Sequence, residues 1–493
     1  MKRVLLFSLT LALLLTCVLP LGVSAEEEAT PISTVEEFEA MTPTGSYYLT
    51  GDIDFGGKVY DTYILYNLDG GTLDGRGHTI WNFTVAGTAE SEKADGGIFF
   101  QIGSGTIRDL TIGKPEAKVQ FRYEKDNAST YGGLAAAAYS VTVENVVMYA
   151  DVLASAAVNF NVGGFFGAST NCVVRNCALY GSVSGVSTRS WVNAAGFSAN
   201  TKTSIGQFVN CVNYADVKAV NNTTVRAGGI IGYAAQGVSL TNCYNFGNLS
   251  VADNAGGQSI TNARLGGIIA ENAGSSVRIY DGCMNFGKVE SPKHAGGILG
   301  FNCNGKAVTI QNCVNYGEVK GETAGAICGY AEAAADVTVK NNLEKEALTY
   351  TPAEGVKTYG VQNSQAVDGK FNVRFVGTLD SLDYQTIGFE VTAYWRGEDG
   401  SLQQKDFRVD CQKVYRSITG KAENGIDFEA TAEELGGEYV FALSILNAPA
   451  SEAAGAVTFV CRSFATTAES TVYGNAFACA YETGNFLFCA DAQ

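Results

Sequence analysis

Cysteine is the residue type whose spacing first raises a question of chemistry. The chain has 13 cysteines. Cys177, Cys211, Cys243, Cys283 and Cys313 each follow an Asn or a Gly, at intervals of 34, 32, 40 and 30 residues. A structural metal site needs a closed tetrahedral set of thiolates and imidazoles. The sequence has no C-x-x-C, and its histidines are His78 and His294 alone. These thiols therefore read as small apolar side chains, one per repeat, on a common face. No metal or other cofactor is expected. The densest acid–base group is Asp74, Arg76 and His78 in "LDGRGHTI", which reads as a Gly-rich corner with its charges in solvent or paired. Asp52 and Asp54 in "GDIDFGG" could hold calcium, but that ion takes six to eight oxygens and no longer acidic loop follows. Glycoside hydrolysis needs two carboxylates at a set separation. The charges in the repeats (Asp216, Lys218, Lys288, Glu290, Glu318) are scattered singly and read as a solvated face.

The elements that must position these residues are repeats. The stretch "GGIIGYAAQGVSLTNCYNFGNL" at 228–249 recurs as "GGIIAENAGSSVRIYDGCMNFGKV" at 266–289 and "GGILGFNCNGKAVTIQNCVNYGEV" at 296–319. Degenerate copies carry Val146 and Asn342 at the Cys position. A fixed period of this length defines a repeat architecture. Helical repeats are excluded, because each unit holds short β-branched alternations such as "VSLTN" and "VTIQN" between Gly and Asn. Units of this size carry about three short strands, too few for a propeller blade. Three strands per turn, stacked turn on turn, make a parallel β-helix. Equivalent residues then sit about 4.8 Å apart along the axis. Asn213, Asn245, Asn285 and Asn315 should form a buried amide ladder, and Tyr180, Tyr214, Phe246, Phe286 and Tyr316 an aromatic stack. Glycine should supply the corners with positive φ. Matching residues are expected to face inward, for support rather than chemistry.

Composition sets the surroundings. Residues 1–25 combine a basic start, an apolar stretch and "VSA" before Glu26, the pattern of a cleaved secretory signal. Nothing later is apolar enough to span a bilayer. The formal charge is −17, and loss of Lys2 and Arg3 makes it two units more negative. Such a surface repels nucleic acid and anionic lipid, and disfavours polyanionic substrates unless a local basic patch exists. Abundant Gly and scarce Pro agree with β structure and tight turns.

The "GGIIGY…NCYNFGNL" unit resembles the GLUG-type repeats of exported bacterial proteins. The openings "ISTVEEFEAM", "GSYYLTGDIDF" and "GGTLDGRGHTI" resemble the usual start of such proteins. The resemblance covers residues 31–345 and implies a pectin-lyase-like, right-handed β-helix. GLUG-type repeats accompany adhesins and some surface metallopeptidases, but the peptidase signature H-E-x-x-H is absent. Lyases of the implied fold use a basic residue beside acidic calcium ligands, and no such cluster is visible in the repeats. Ser33 or Thr34, with Glu36 or Glu37, should cap a short helix that closes the open end of the solenoid.

After a linker at 346–370, the pattern changes to longer alternating strands: "FNVRFVGTL", "TIGFEVTAYW", "KDFRVDCQKVY", "GEYVFALSIL" and "AVTFVCRSF". Asp399-Gly400 marks a hairpin tip. Residues 371–493 should therefore form an antiparallel β-sandwich resembling Ig-like modules, a likeness of fold that carries no activity. Cys411 and Cys461 are candidates for an inter-sheet disulfide, and Cys479 and Cys489 for a second. The expected whole is all-β: a right-handed parallel β-helix with an N-terminal cap at 26–345, followed by the sandwich. Long inserts at 121–130, 185–193 and 251–265 are the candidate binding surface, with Arg122, Tyr123, Arg189 and Trp191 as contact residues. The expected function is non-catalytic adhesion or ligand binding outside the cell by a monomer. The partner is an extracellular glycan or a host or bacterial surface protein. The alternative is a carbohydrate-active enzyme, either a polysaccharide lyase or a glycoside hydrolase.

Overall fold

A computed structural model describes residues 29–481 except 92–94, 126–128, 203–205, 222, 253–259, 275–277, 346–351, 365–369, 422–426 and 450–456. The expected signal segment therefore lies outside the described residues. Residues 63–344 wind into about eight turns of a parallel β-solenoid. Each strand pairs in parallel with its counterpart one repeat away. Thr224–Gly228 pairs with Asn262–Gly266, which pairs with His294–Gly296, which pairs with Thr323–Gly325.

Alternation along the recurring Cys-x-Asn-aromatic segment explains its make-up. Successive side chains of a strand point to opposite faces. Cys243, Cys283 and Cys313 therefore enter the core, and so do Asn245, Asn285 and Asn315, which are fully or almost fully buried. The alternate residues Tyr244, Met284 and Val314, with Phe246, Phe286 and Tyr316, belong to a separate outer cluster. The aromatic stack forms as expected, with ring centroids 4.3–4.9 Å apart from Tyr180 to Tyr316 and Tyr149 as an additional rung at 4.7 Å. It lies outside the core rather than facing inward.

The amide ladder is continuous. Asn213 donates to Asn245, Asn245 to Asn285 and Asn285 to Asn315 at 2.8–2.9 Å. Each Nδ2 also donates to the carbonyl two residues on, as from Asn245 to Gly247 at 2.8 Å. The Gly pair fits this ladder. A Cβ on Gly229 would stand 2.1 Å from the Gly267 carbonyl and 2.5 Å from the Asn245 amide. Glycine supplies left-handed corners as expected, as at Gly77, Gly113 and Gly181 with φ of 81°, 80° and 114°, but Asn supplies others. Asn176, Asn210, Asn242 and Asn312, immediately before the ladder cysteines, have φ of 50–55°, and Gly282 has 66° in the single Gly-Cys copy. Asn and Gly are the residues that adopt this conformation most readily, so the Asn/Gly alternation marks the corner.

The N-terminal end is closed as expected. Helix Val35–Glu39 has a full capping box between Thr34 and Glu37. Its buried Phe38 packs edge-on against Phe55 at 5.5 Å.

The C-terminal part is an antiparallel sandwich. One sheet orders Val356–Ser364, Lys370–Leu379 and Tyr439–Pro449. The other orders Leu402–Cys411, Thr386–Arg396, Val457–Thr466 and Thr471–Tyr481. Val373, Phe375, Phe389, Val391, Phe459 and Phe477 form the core between them. Val356–Ser364 is a strand of this sheet, within the segment expected to be a linker. Gly400, with φ 74°, turns the hairpin at its expected place. Cys411 and Cys461 are free thiols. They lie on strands of one sheet, on either side of Thr386–Arg396. Cys411 lies opposite Ile387 and Cys461 opposite Val391, so two strand spacings and four residues along the strand hold them about 16 Å apart, beyond the span of a disulfide, and they do not form an inter-sheet bridge. The Cys479–Cys489 pairing falls outside the described residues, because Cys489 lies beyond position 481.

The sandwich rests on the solenoid. Tyr394, Val460 and Ala478 pack on Tyr244, Met284 and Val314. Arg396 pairs with Asp281 at 2.6 Å, Tyr244 bonds Thr458 at 3.2 Å, and the hydroxyls of Tyr316 and Tyr394 share a hydrogen bond. No helix among the described residues is long and apolar enough to cross a membrane.

Candidate functional site

The ladder cysteines are free, buried thiols. Cys211, Cys243 and Cys313 donate to a carbonyl one turn away, at 3.4–3.5 Å. Burial pushes the Cys177 thiol up to about 12 and raises Cys211, Cys243, Cys283 and Cys313 as well. A nucleophilic or ligating sulfur must be a thiolate, and these stay protonated.

The corner near the N-terminus is paired. Asp74 takes both Nε and Nη2 of Arg108, at 3.1 and 2.8 Å, and caps the Arg76 amide at 2.9 Å. Arg76 stacks on Tyr48 at 3.4 Å. Asp52 accepts from the Thr79 amide at 3.0 Å and lies 3.4 Å from His78. Asp54 accepts from Gly56 and Asn82. Among the described residues, no three His, Cys, Asp or Glu side chains are grouped to hold a metal ion.

The four expected contact residues are not gathered into one patch. The described part of the 121–130 stretch belongs to strands Val119–Lys125 and Ser129–Gly132. Tyr123 is therefore a core residue, 1% exposed and stacked on Tyr131 at 4.6 Å. Arg122 is exposed and bonds Gln120 at 3.0 Å. Arg189 and Trp191 lie in the turn between Ala178–Ser187 and Val192–Ala195, with Arg189 exposed and Trp191 half-buried.

A different cluster meets across the Gly-Gly elbow, where one strand precedes the Gly pair and the next follows it. On the first side a polar ladder runs Asn161, Asn193, Arg226, Arg264, His294, Thr323. On the second side runs Asn200, Tyr233, Glu271, Phe301, Tyr330. Glu271 is 2% exposed and pairs with both Arg226 and Arg264. Arg226 also donates to Asn193 at 3.1 Å. The Arg226 guanidinium lies over the Tyr233 ring at 4.3 Å, and that of Arg264 over Phe301 at 3.8 Å. Cys303 donates its thiol to the other Glu271 oxygen at 3.1 Å. His294 shares a hydrogen bond with Thr323 at 2.7 Å and stacks on Tyr330 at 4.7 Å.

The electrostatics define what this elbow can do. Burial alone would raise the Glu271 carboxyl, but the two guanidinium groups hold it below its ordinary range. It stays ionised and is no general acid. Burial, then the Glu271 charge, pushes Cys303 up to about 12, so it is no nucleophile. Burial and the Arg264 charge lower His294, which keeps its imidazole neutral at pH 7. The cluster carries fixed positive charge beside aromatic faces, an arrangement suited to binding. Sequence reasoning missed it, although a signal was present: "VRAGG", "ARLGG" and "KHAGG" place a basic residue two positions before three consecutive Gly pairs.

A second surface is apolar. Tyr66, 52% exposed, stacks on Phe100 at 5.1 Å, with Tyr63 edge-on to both. Compared with known proteins, the chain matches no family model, no curated protein and no solved structure. Its class is thus set by its architecture, a parallel β-solenoid carrying an antiparallel sandwich.

Proposed function

We propose that the chain is a secreted or surface-associated protein that binds an extracellular glycan or surface protein without turning it over. The observation that carries this reading is the state of the elbow's acid–base groups. Glu271 is clamped between two arginines, Cys303 is a protonated donor to it, and His294 is neutral and bonded to Thr323. None is poised to move a proton at neutral pH. The likeness to GLUG-type repeats, which accompany exported adhesins, supports the same reading. So do the rigid stacked surface and its exposed Tyr66 ring, stacked on the half-buried Phe100. The test is a panel of immobilised glycans and surface extracts, read for retention and, in parallel, for reducing ends and unsaturated products. Retention without new ends or double bonds is expected. Turnover of any glycan would make the chain an enzyme and end this reading.

A further inference from the structure

We propose that the Arg226–Arg264 elbow binds the acidic group of a sugar, a carboxylate or sulfate carried singly on an otherwise neutral glycan. The inference rests on the binding function proposed above and names its ligand class.

The register carries the first part. Arg226, Arg264 and His294 occupy consecutive rungs of one parallel sheet, about 4.8 Å apart. Like charges side by side in a sheet are destabilising. Only Glu271 answers the two arginines among the described residues, which leaves one positive charge uncompensated at the elbow. The chain as a whole carries −17, so a local cationic excess stands against the field of the molecule.

The donors carry the second part. A guanidinium has five N–H groups in a planar fork suited to oxyanions. Arg226 spends Nε on Glu271 and Nη1 on Asn193. Arg264 spends Nη1 on Glu271 and Nε on Asn262, at 3.1 Å in the latter case. Nη2 of each has no hydrogen bond to the described residues. Both side chains keep 14% of their surface while Glu271 keeps 2%, so the carboxylate sits behind the arginines and their outer edges remain reachable. The rings of Tyr233 and Phe301 cover the guanidinium faces, which directs contact to those edges.

The wall carries the third part. Tyr330, 38% exposed, extends the aromatic ladder beside His294 and offers a flat apolar face next to the charges. Sites of this kind pair aromatic walls with a few placed polar groups. One uncompensated charge matches one oxyanion, whereas a continuous polyanion would meet the negative field of the rest of the chain.

The test titrates the full chain by calorimetry with methyl glucuronide, glucose 6-sulfate and, as neutral control, glucose. Saturable binding of an acidic sugar is expected, none of glucose, and the two acids tell carboxylate from sulfate. Arg264→Gln should weaken binding at least tenfold. Glu271→Gln removes the internal competitor and should tighten it several-fold, so the inference stays testable should Arg264→Gln fail to fold. Binding of neither acid, or equal binding by wild type and both variants, overturns the inference. Glycan retention that ignores acidic groups and Arg264 would overturn it while leaving the adhesion reading intact. Binding of the acidic sugars with no glycan retained would uphold the site and remove the adhesion reading.

Discussion

At the residue scale, the Asn before each ladder cysteine does a conformational job. Asn210 sits at φ 55° and donates to Asn176 at 3.2 Å. Asn210→Gly should cost within about 1 kcal/mol, since Gly adopts that conformation freely and only a modest hydrogen bond is lost. Asn210→Val should cost a further 1–3 kcal/mol or so, because a β-branched residue is strained there. Urea unfolding of both variants checks the order. The thiols give a second expectation. Their folded pKa values lie above the free-thiol value of about 8.5, so the native state holds protons that the unfolded chain releases. Their contribution to stability is complete below pH about 8.5 and declines toward about 12, the value for Cys177. Unfolding midpoints of the wild type should fall across that window more steeply than those of Cys177→Ala, which already lacks this thiol's share. Equal slopes would show that the buried sulfur does not titrate as described.

At the scale of elements, the alternation of the Cys-x-Asn-aromatic segment gives each coil two working faces. The inner face carries the thiol and amide ladders, and the outer face receives the sandwich. Met284, 1% exposed, lies at the centre of that contact with Tyr394 and Val460. A carboxylate there would be buried among apolar side chains, beside an Arg396 already paired with Asp281, and separating the two parts relieves it at less cost than unwinding a coil. Met284→Asp should split calorimetric unfolding into two transitions and raise binding of a hydrophobic dye. An unchanged single transition would show that the contact is not coupling the parts. How much of this was legible follows from periodicity. The solenoid, the amide ladder and the N-terminal capping box were readable, because identical residues recur at matching positions and a cap has a local signature. The strand before each Gly pair was not, because "TVRAG", "NARLG" and "HAG" are too short to alternate visibly. That omission hid the arginine elbow. Tyr123 was misplaced for a related reason: the polar run that follows it looked like an insert, yet the residues up to Lys125 form a strand. The seat of the sandwich depends on which outer residues meet across 78 positions, as Tyr316 and Tyr394 do, to 214, as Tyr244 and Thr458 do, and no local pattern records that.

At the scale of the whole molecule, every statement about function depends on the repeats being turns of one spiral. Register through six successive strand pairings links Arg122 to Leu153, Ser184, Lys218, Ser250, Glu290 and Lys320. Both end residues are exposed. Spin labels carried on unnatural amino acids at positions 122 and 320 allow the most direct measurement, a pulsed electron paramagnetic resonance distance. At about 4.8 Å per rung the backbone separation is about 29 Å, and a single narrow peak near that value is expected despite the long stretch of chain between the labels. A broad distribution, or a mean beyond about 45 Å, would contradict the continuous spiral and with it the ladders and the elbow.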